Sequence, residues 1–187
     1  MLYGWLRMSL GVHARAAGQP YRESPMSLDN IANPAPSTED ALQVLRSDHR
    51  RIDAMLTDCL RVAAVEHDQA PSADRNALLE RLAARLQVHA QIEVELFYPA
   101  LEANALTRDS AQLDHDEILV QLNELLAALP PGDEFERRLF ALAQLVRTHI
   151  SFEEEQLFPL AEALDLDALG ASLAVRRGDL LGEQGSD

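Results

Sequence analysis

Two stretches of the chain repeat one pattern at an offset of sixty residues: HAQIEVELFYPALEA (89–103) and HISFEEEQLFPLAEA (149–163). Each opens on His, carries Glu four and six places on and Pro at ten, and closes on Glu-Ala. A shorter echo links DHRRI (48–52) to DHDEI (114–118). The chain therefore reads as two helical hairpins. Each contributes one lone His from its first helix and one His-x-x-x-Glu from its second.

Four segments around these motifs place apolar residues at alternating spacings of three and four, which is one face of a helix. The first starts near Ser37 or Thr38, either of which caps it, with Glu39 and Asp40 in its first turn. Its stripe is Leu42, Leu45, His49, Ile52, Leu56, Cys59 and Ala63. The second, capped by Ser72, has Leu79, Leu82, Leu86, His89, Glu93, Leu96 and Ala100. The third covers roughly 108–129 with Ala111, His115, Ile118, Leu122, Leu125 and Leu129, and PPGD (130–133) ends it. The fourth has Phe135, Leu139, Leu142, Val146, His149, Glu153, Leu157 and Leu160. Short connections make successive helices antiparallel neighbours, so the predicted fold is all-α, an up-down-up-down antiparallel four-helix bundle over 37–165. Pro99 and Pro159 fall inside helical pattern and should bend or end their helices.

The ends of the chain read differently. Residues 1–36 form a flexible N-terminal extension in this reading; MLYGWLRMSLGVHARAAG only faintly resembles a signal peptide, and Met26 is an alternative start. Residues 166–187 supply a short helix near 167–177 and a frayed tail.

Composition narrows the chemistry. The 187 residues are 47% apolar and 25% charged, as in an ordinary soluble domain. With 31 acidic against 16 basic residues the net charge is −15, which disfavours nucleic acid and anionic membrane as partners. No apolar run reaches the ~20 residues that span a bilayer. Every basic residue is Arg, so lysine Schiff-base and P-loop chemistry are excluded. One cysteine, Cys59, excludes an internal disulfide and any multi-cysteine zinc site, and fits a reducing, cytoplasmic compartment.

The polar members of the stripes carry the function. A lone His on an apolar face is an ordinary core residue, but an unpaired buried carboxylate is very costly. Here His49, His89, His115 and His149 share inward faces with Glu93 and Glu153, and no Arg lies on the central turns to compensate them. A pair of divalent cations would. Imidazole suits Fe, Zn, Cu and Ni, and a carboxylate can bridge two ions. The four-residue spacing stacks His89 over Glu93 and His149 over Glu153. Two carboxylates against two divalent ions leave room for an oxo or hydroxo bridge. His13 and His67 lie off the stripes, Phe97, Tyr98 and Phe158 read as packing, and Glu95, Glu154 and Glu155 face solvent by phase. Tyr98 is also within reach of a hydrogen bond to a ligand. Asp48 and Asp114 read as surface charges.

His49, His89-x-x-x-Glu93, His115 and His149-x-x-x-Glu153, with LFYP and LFP after the paired motifs, resemble the hemerythrin-like or HHE cation-binding domain over roughly 38–165. The resemblance implies two iron ions, His49 and His89 on one, His115 and His149 on the other, with Glu93 and Glu153 bridging; Mn or Zn are alternatives. The oxygen-carrying hemerythrins have a fifth His one turn after the third-helix ligand, where this chain has Leu119, and their fourth-helix acid follows its His by five residues, not four. Those departures speak against reversible oxygen carriage. The expected function is a non-haem di-iron protein that binds or senses oxygen, peroxide or nitric oxide at an open iron position. The alternatives are a di-iron oxidase or peroxidase, an iron-responsive regulatory module, or a metal-free helical adaptor. A dedicated enzyme is the weaker reading because ferritin-like Glu-x-x-His spacing is missing.

Overall fold

A computed structural model describes residues 39–66, 72–101, 105–130 and 132–184, leaving aside the side chains of 105, 106, 183 and 184. The expectations for the N-terminal extension, for Met26, and for His13 and His67 lie outside the described residues. The described residues are helical, with no strand among them.

Helix α1 (Ala41–Val65) is capped by Asp40, whose carboxylate accepts the Gln43 N–H at 2.8 Å. The cap is thus Asp40, beyond the expected Ser37 or Thr38, so Glu39 and Asp40 precede the first turn instead of lying in it; an Asp side chain satisfies a free first-turn N–H as well as Thr does. Helix α2 (Ala73–Ile92) has the expected Ser72 cap, with the Arg75 N–H on its hydroxyl at 3.0 Å. It continues as a π-helical turn (Glu93–Phe97) and a last short helix, α3 (Tyr98–Ala100). Helix α4 (Ala105–Ala128) ends where Leu129 takes a positive φ of 36°, the left-handed stop of a helix terminus. Helix α5 (Gly132–Phe152) repeats the ending of α2: a π turn (Glu153–Leu157), then short α6 (Phe158–Ala161).

The two π turns have a common cause. A proline in a helix lacks the N–H and its ring collides with the carbonyl four residues back. Ahead of Pro99 the Tyr98 N–H reaches Glu93 O, and ahead of Pro159 the Phe158 N–H reaches Glu153 O, a five-residue step. Each helix passes through its proline on this wider turn and stops within one turn beyond it. The extra residue shifts the buried face by one position. Phe97, Tyr98 and Leu101, and likewise Leu157, Phe158 and Ala161, are buried. The expected Leu96 and Ala100 are only half-buried, and Leu160 is 46% exposed, because a stripe extrapolated at 3.6 residues per turn misses the insertion.

Helix α1 packs on α2 and α5, and α4 packs on α5 and α2, which closes the four-helix ring. The core is two apolar clusters. One gathers Ile52, Leu56, Leu82, Ile118, Leu122, Phe135 and Leu142. The other gathers Leu45, Val88, Ile92, Phe97, Ala111, Leu157 and Phe158. Each fully buried Leu or Phe contributes about 2 kcal/mol. Along each helix the candidate His and Glu residues fall between members of the two clusters, so they form a polar belt inside an apolar bundle.

Helix α7 (Leu166–Gln184) lies against α1, α2 and the first π turn. It extends beyond the 167–177 expected from sequence. Gly178 and Gly182 each weaken a helix by about 1 kcal/mol, but burial of Leu173 and Leu180 holds it. Gly170 lets it come close: a Cβ there would stand 2.6 Å from Glu39 O and 2.7 Å from Ala41 N. Gly170→Ala is therefore expected to lower stability by about 1–3 kcal/mol, measured by denaturant unfolding. A neutral result would mean that α7 does not sit this close.

Candidate metal centre

The four helices bring all six sequence-derived residues to one level of the belt. Two groups each place four ligand atoms within 4.8 Å of one another: His49, His89, Glu93 and Glu153, and Glu93, His115, His149 and Glu153. All six side chains are buried, Glu93 and Glu153 completely. The two carboxylates belong to both groups, and each group adds one lone His and one His from a His-x-x-x-Glu pair.

The distances are close. Glu93 Oε2 is 3.2 Å from His89 Nε2 and 3.2 Å from His115 Nε2, and Glu93 Oε1 is 3.9 Å from His49 Nε2. Glu153 Oε2 is 3.2 Å from His49 Nε2 and 3.5 Å from His149 Nε2. His115 and His149 oppose Nε2 to Nε2 at 2.8 Å. Two imidazoles about 2.1 Å from a common ion at a right angle stand about 3 Å apart.

The residues fit a pair of cations. Among the buried atoms without a hydrogen-bond partner are His49 Nε2, His89 Nε2, both Glu93 oxygens and Glu153 Oε2. Buried polar atoms are normally satisfied, so this convergence of orphans is a physical mark of missing positive charge. Protonation agrees. Burial holds His89 and His115 below the ordinary imidazole value, and holds His149 down to about 4, which favours neutral rings that each keep one unprotonated nitrogen. Burial also pulls on His49, but Glu153 at 3.2 Å, the charge of Glu93 and the hydrogen bond to Glu154 outweigh it and raise it to about 9. Burial and the neighbouring Glu153 push Glu93 well above 4.5. Burial raises Glu153 too, but His49 and the other imidazoles more than offset it and leave it below its ordinary value.

Three partners around the belt were read differently, or only in part, from sequence. Glu154, assigned to solvent, is half-buried and takes the His49 Nδ1 hydrogen bond at 2.8 Å. Asp48, assigned to the surface, is 1% exposed, with Arg177 Nη1 at 3.2 Å and Arg85 Nη1 at 3.5 Å. It is buried because α7 covers the α1–α2 face, which a stripe analysis of four helices does not include; the signal was the Arg176–Arg177 pair. Arg176 in turn grips Glu95 at 2.7 Å. The third is Tyr98, whose hydroxyl donates to Glu153 Oε1. Asp114 keeps its surface role in part, with Oδ2 3.6 Å from His149 Nδ1. Cys59 is a buried core thiol, raised to about 11 by burial.

A helical bundle with a buried four-His, two-Glu belt defines a cation-binding class. The hemerythrin HHE cation-binding domain matches residues 40–161, and the chain belongs to that family. Among its relatives is the uncharacterized Rv2633c protein of Mycobacterium tuberculosis, 26% identical over 116 residues, covering 59% of this chain and 72% of that protein. A counterpart in Mycobacterium bovis has the same values. Among solved structures, the crystal structure of a hemerythrin HHE cation-binding domain-containing protein from Mycobacterium kansasii, a homologue of Rv2633c, matches with a TM-score of 0.65. It is 27% identical, covering 78% of this chain and 89% of the other. No helix among the described residues is long and apolar enough to cross a membrane.

Proposed function

We propose that the bundle holds two iron ions and binds a small ligand such as oxygen, peroxide or nitric oxide beside them, as a sensor, scavenger or store. The observation that carries this is the pair of overlapping ligand groups sharing Glu93 and Glu153. His49 and His89 would hold one ion, His115 and His149 the other, and the two carboxylates, common to both groups, would offset part of their charge. Bound iron supplies redox chemistry and a Lewis-acidic position for a small ligand.

The chain's own residues set the terms. Leu119, partly buried one turn after His115, offers no lone pair, so the imidazole count stays at two per ion. The apolar clusters on either side of the belt keep water out and strengthen every charge interaction within it. Glu154 fixes the His49 ring through Nδ1, which turns Nε2 inward. A cleft of about 420 Å³ between α1 and α5, lined by His49, Arg50, Asp53, Arg147, Ile150 and Glu154, gives a small molecule a way toward the His49 side.

Protein purified without a metal-affinity tag should carry about two irons per chain, with charge-transfer absorption that a reductant bleaches. Loading the metal-free protein at pH 7 should release a proton from His49, raised to about 9, as its imidazole takes up a cation. Elemental analysis and titration in buffers of different ionisation enthalpy measure both quantities. Full iron retention in both a His89→Ala and a Glu93→Ala protein would refute the assignment.

A further inference from the structure

The internal repeat gives the centre a two-fold pattern, which the Glu154–His49 bond breaks at one imidazole and a phenol breaks at one carboxylate. Tyr98 and Phe158 occupy equivalent places in the two copies. The Tyr98 ring stacks on His115 at 5.8 Å and 21°, and the Phe158 ring stacks on His49 at 5.7 Å and 11°. The match extends to the π turns that bring both rings inward. The difference is the phenol. Tyr98 donates its hydroxyl to Glu153 Oε1, and Phe158 has nothing to offer Glu93.

The two carboxylates are arranged accordingly. Both Glu93 oxygens lack a hydrogen-bond partner, and they face different imidazoles: Oε2 toward His89 and His115, Oε1 toward His49. Glu153 turns only Oε2 toward His49 and His149, while Oε1 is taken up by the phenol. A carboxylate whose second oxygen is held by a buried donor loses the freedom to swing between one-oxygen and two-oxygen binding.

We propose that Tyr98 is a positioning residue that holds one oxygen of Glu153 out of the metal space, so that Glu93 spans both cations through two oxygens, Glu153 presents one, and the position left over is where an exogenous anion or peroxide binds. This rests on the two-cation reading above and makes the two glutamates unequal, where the resemblance implied that both bridge.

The test compares iron-loaded, oxidised wild type with Tyr98→Phe, using azide as the probe anion. Azide binding is followed by its charge-transfer absorption, and the carboxylate stretches by infrared difference with ¹³C-glutamate. Releasing Oε1 to the metals should weaken azide by about tenfold or more, the usual scale for losing a partner of a ligand, and should merge the two carboxylate signatures into one. Two irons retained with unchanged azide affinity and an unchanged infrared pattern would overturn the proposal alone. Iron below two per chain in Tyr98→Phe would also overturn it, since the phenol would then build the centre instead of shaping its open position. Wild type without two irons would overturn the functional reading itself. Should Tyr98→Phe fail to fold, Phe158→Tyr keeps Tyr98 in place and adds a phenol opposite Glu93. Azide affinity should then rise severalfold, and no change would count against the proposal.

Discussion

Glu93→Gln is expected to act in opposite directions with and without metal. In the loaded protein the substitution removes a carboxylate common to both ligand groups, and neither ion should be retained at stoichiometric level. In the metal-free protein the same change replaces a wholly buried acid by an amide that cannot ionise, and should stabilise by about 1–3 kcal/mol where Glu93 would be charged, the scale of leaving a buried polar group unpaired. The pH dependence follows from the upward shift. A carboxyl raised in the fold above its ordinary 4.5 contributes its full stability below that value and loses it as pH rises through the folded value. The variant's advantage should therefore be small near pH 4.5 and grow toward neutrality. His49 acts in the same direction at higher pH: its contribution is complete below 6.5 and lost as pH rises through about 9. His149, lowered to about 4, acts in reverse, and its contribution is lost as pH falls from 6.5 through that value. Thermal unfolding with and without chelator, at pH 5 and pH 8, separates these effects. Equal destabilisation of the loaded and stripped forms would mean that Glu93 is a structural residue.

The second large effect is expected at Asp48. Its buried carboxylate faces Arg177 of α7 and Arg85 of α2, with the two guanidinium side chains 21% and 14% exposed. Asp48→Ala leaves two cations facing each other, and breaking such a buried set costs about 3–5 kcal/mol at full burial, so about 2–3 kcal/mol here. Arg177→Ala should cost less, because Arg85 remains with Asp48. Because Asp48 joins α7 to α1, the alanine protein should also become sensitive to proteolysis between Ala161 and Leu166, as gel analysis of limited digestion would show. A protease-resistant variant of unchanged stability would mean that α7 is held by its apolar face alone.

Most of the bundle and the polar belt were legible in the chain because both depend on periodicity. His49, His89, His115 and His149 sit in phase with the leucines on their helices, and antiparallel packing does the rest. The α-phase failed at Leu96, Ala100 and Leu160, one to two turns beyond the paired ligands, because a π turn changes the residue count without changing the residue types. Proline at Pro99 and Pro159 was the local sign of it. Asp48 and Glu154 were misplaced for a different reason. Their burial depends on which helix lies across them, and a single stripe carries no information about its neighbour. Tyr98 was within reach of a ligand in the sequence, but only the fold shows that it crosses to the acid of the opposite hairpin and that Phe158 has no matching group.

The winding of the backbone also divides the six side chains by stiffness. The imidazoles of His89 and His149 stand on regular α-helix, while Glu93 and Glu153 begin the π turns, where the hydrogen-bond ladder is wider. With Glu153 tied to the Tyr98 phenol and both Glu93 oxygens without a hydrogen bond, Glu93 is the compliant donor of the six. A belt made this way can change charge or size at its middle by moving one acid, leaving the packed helices as they are.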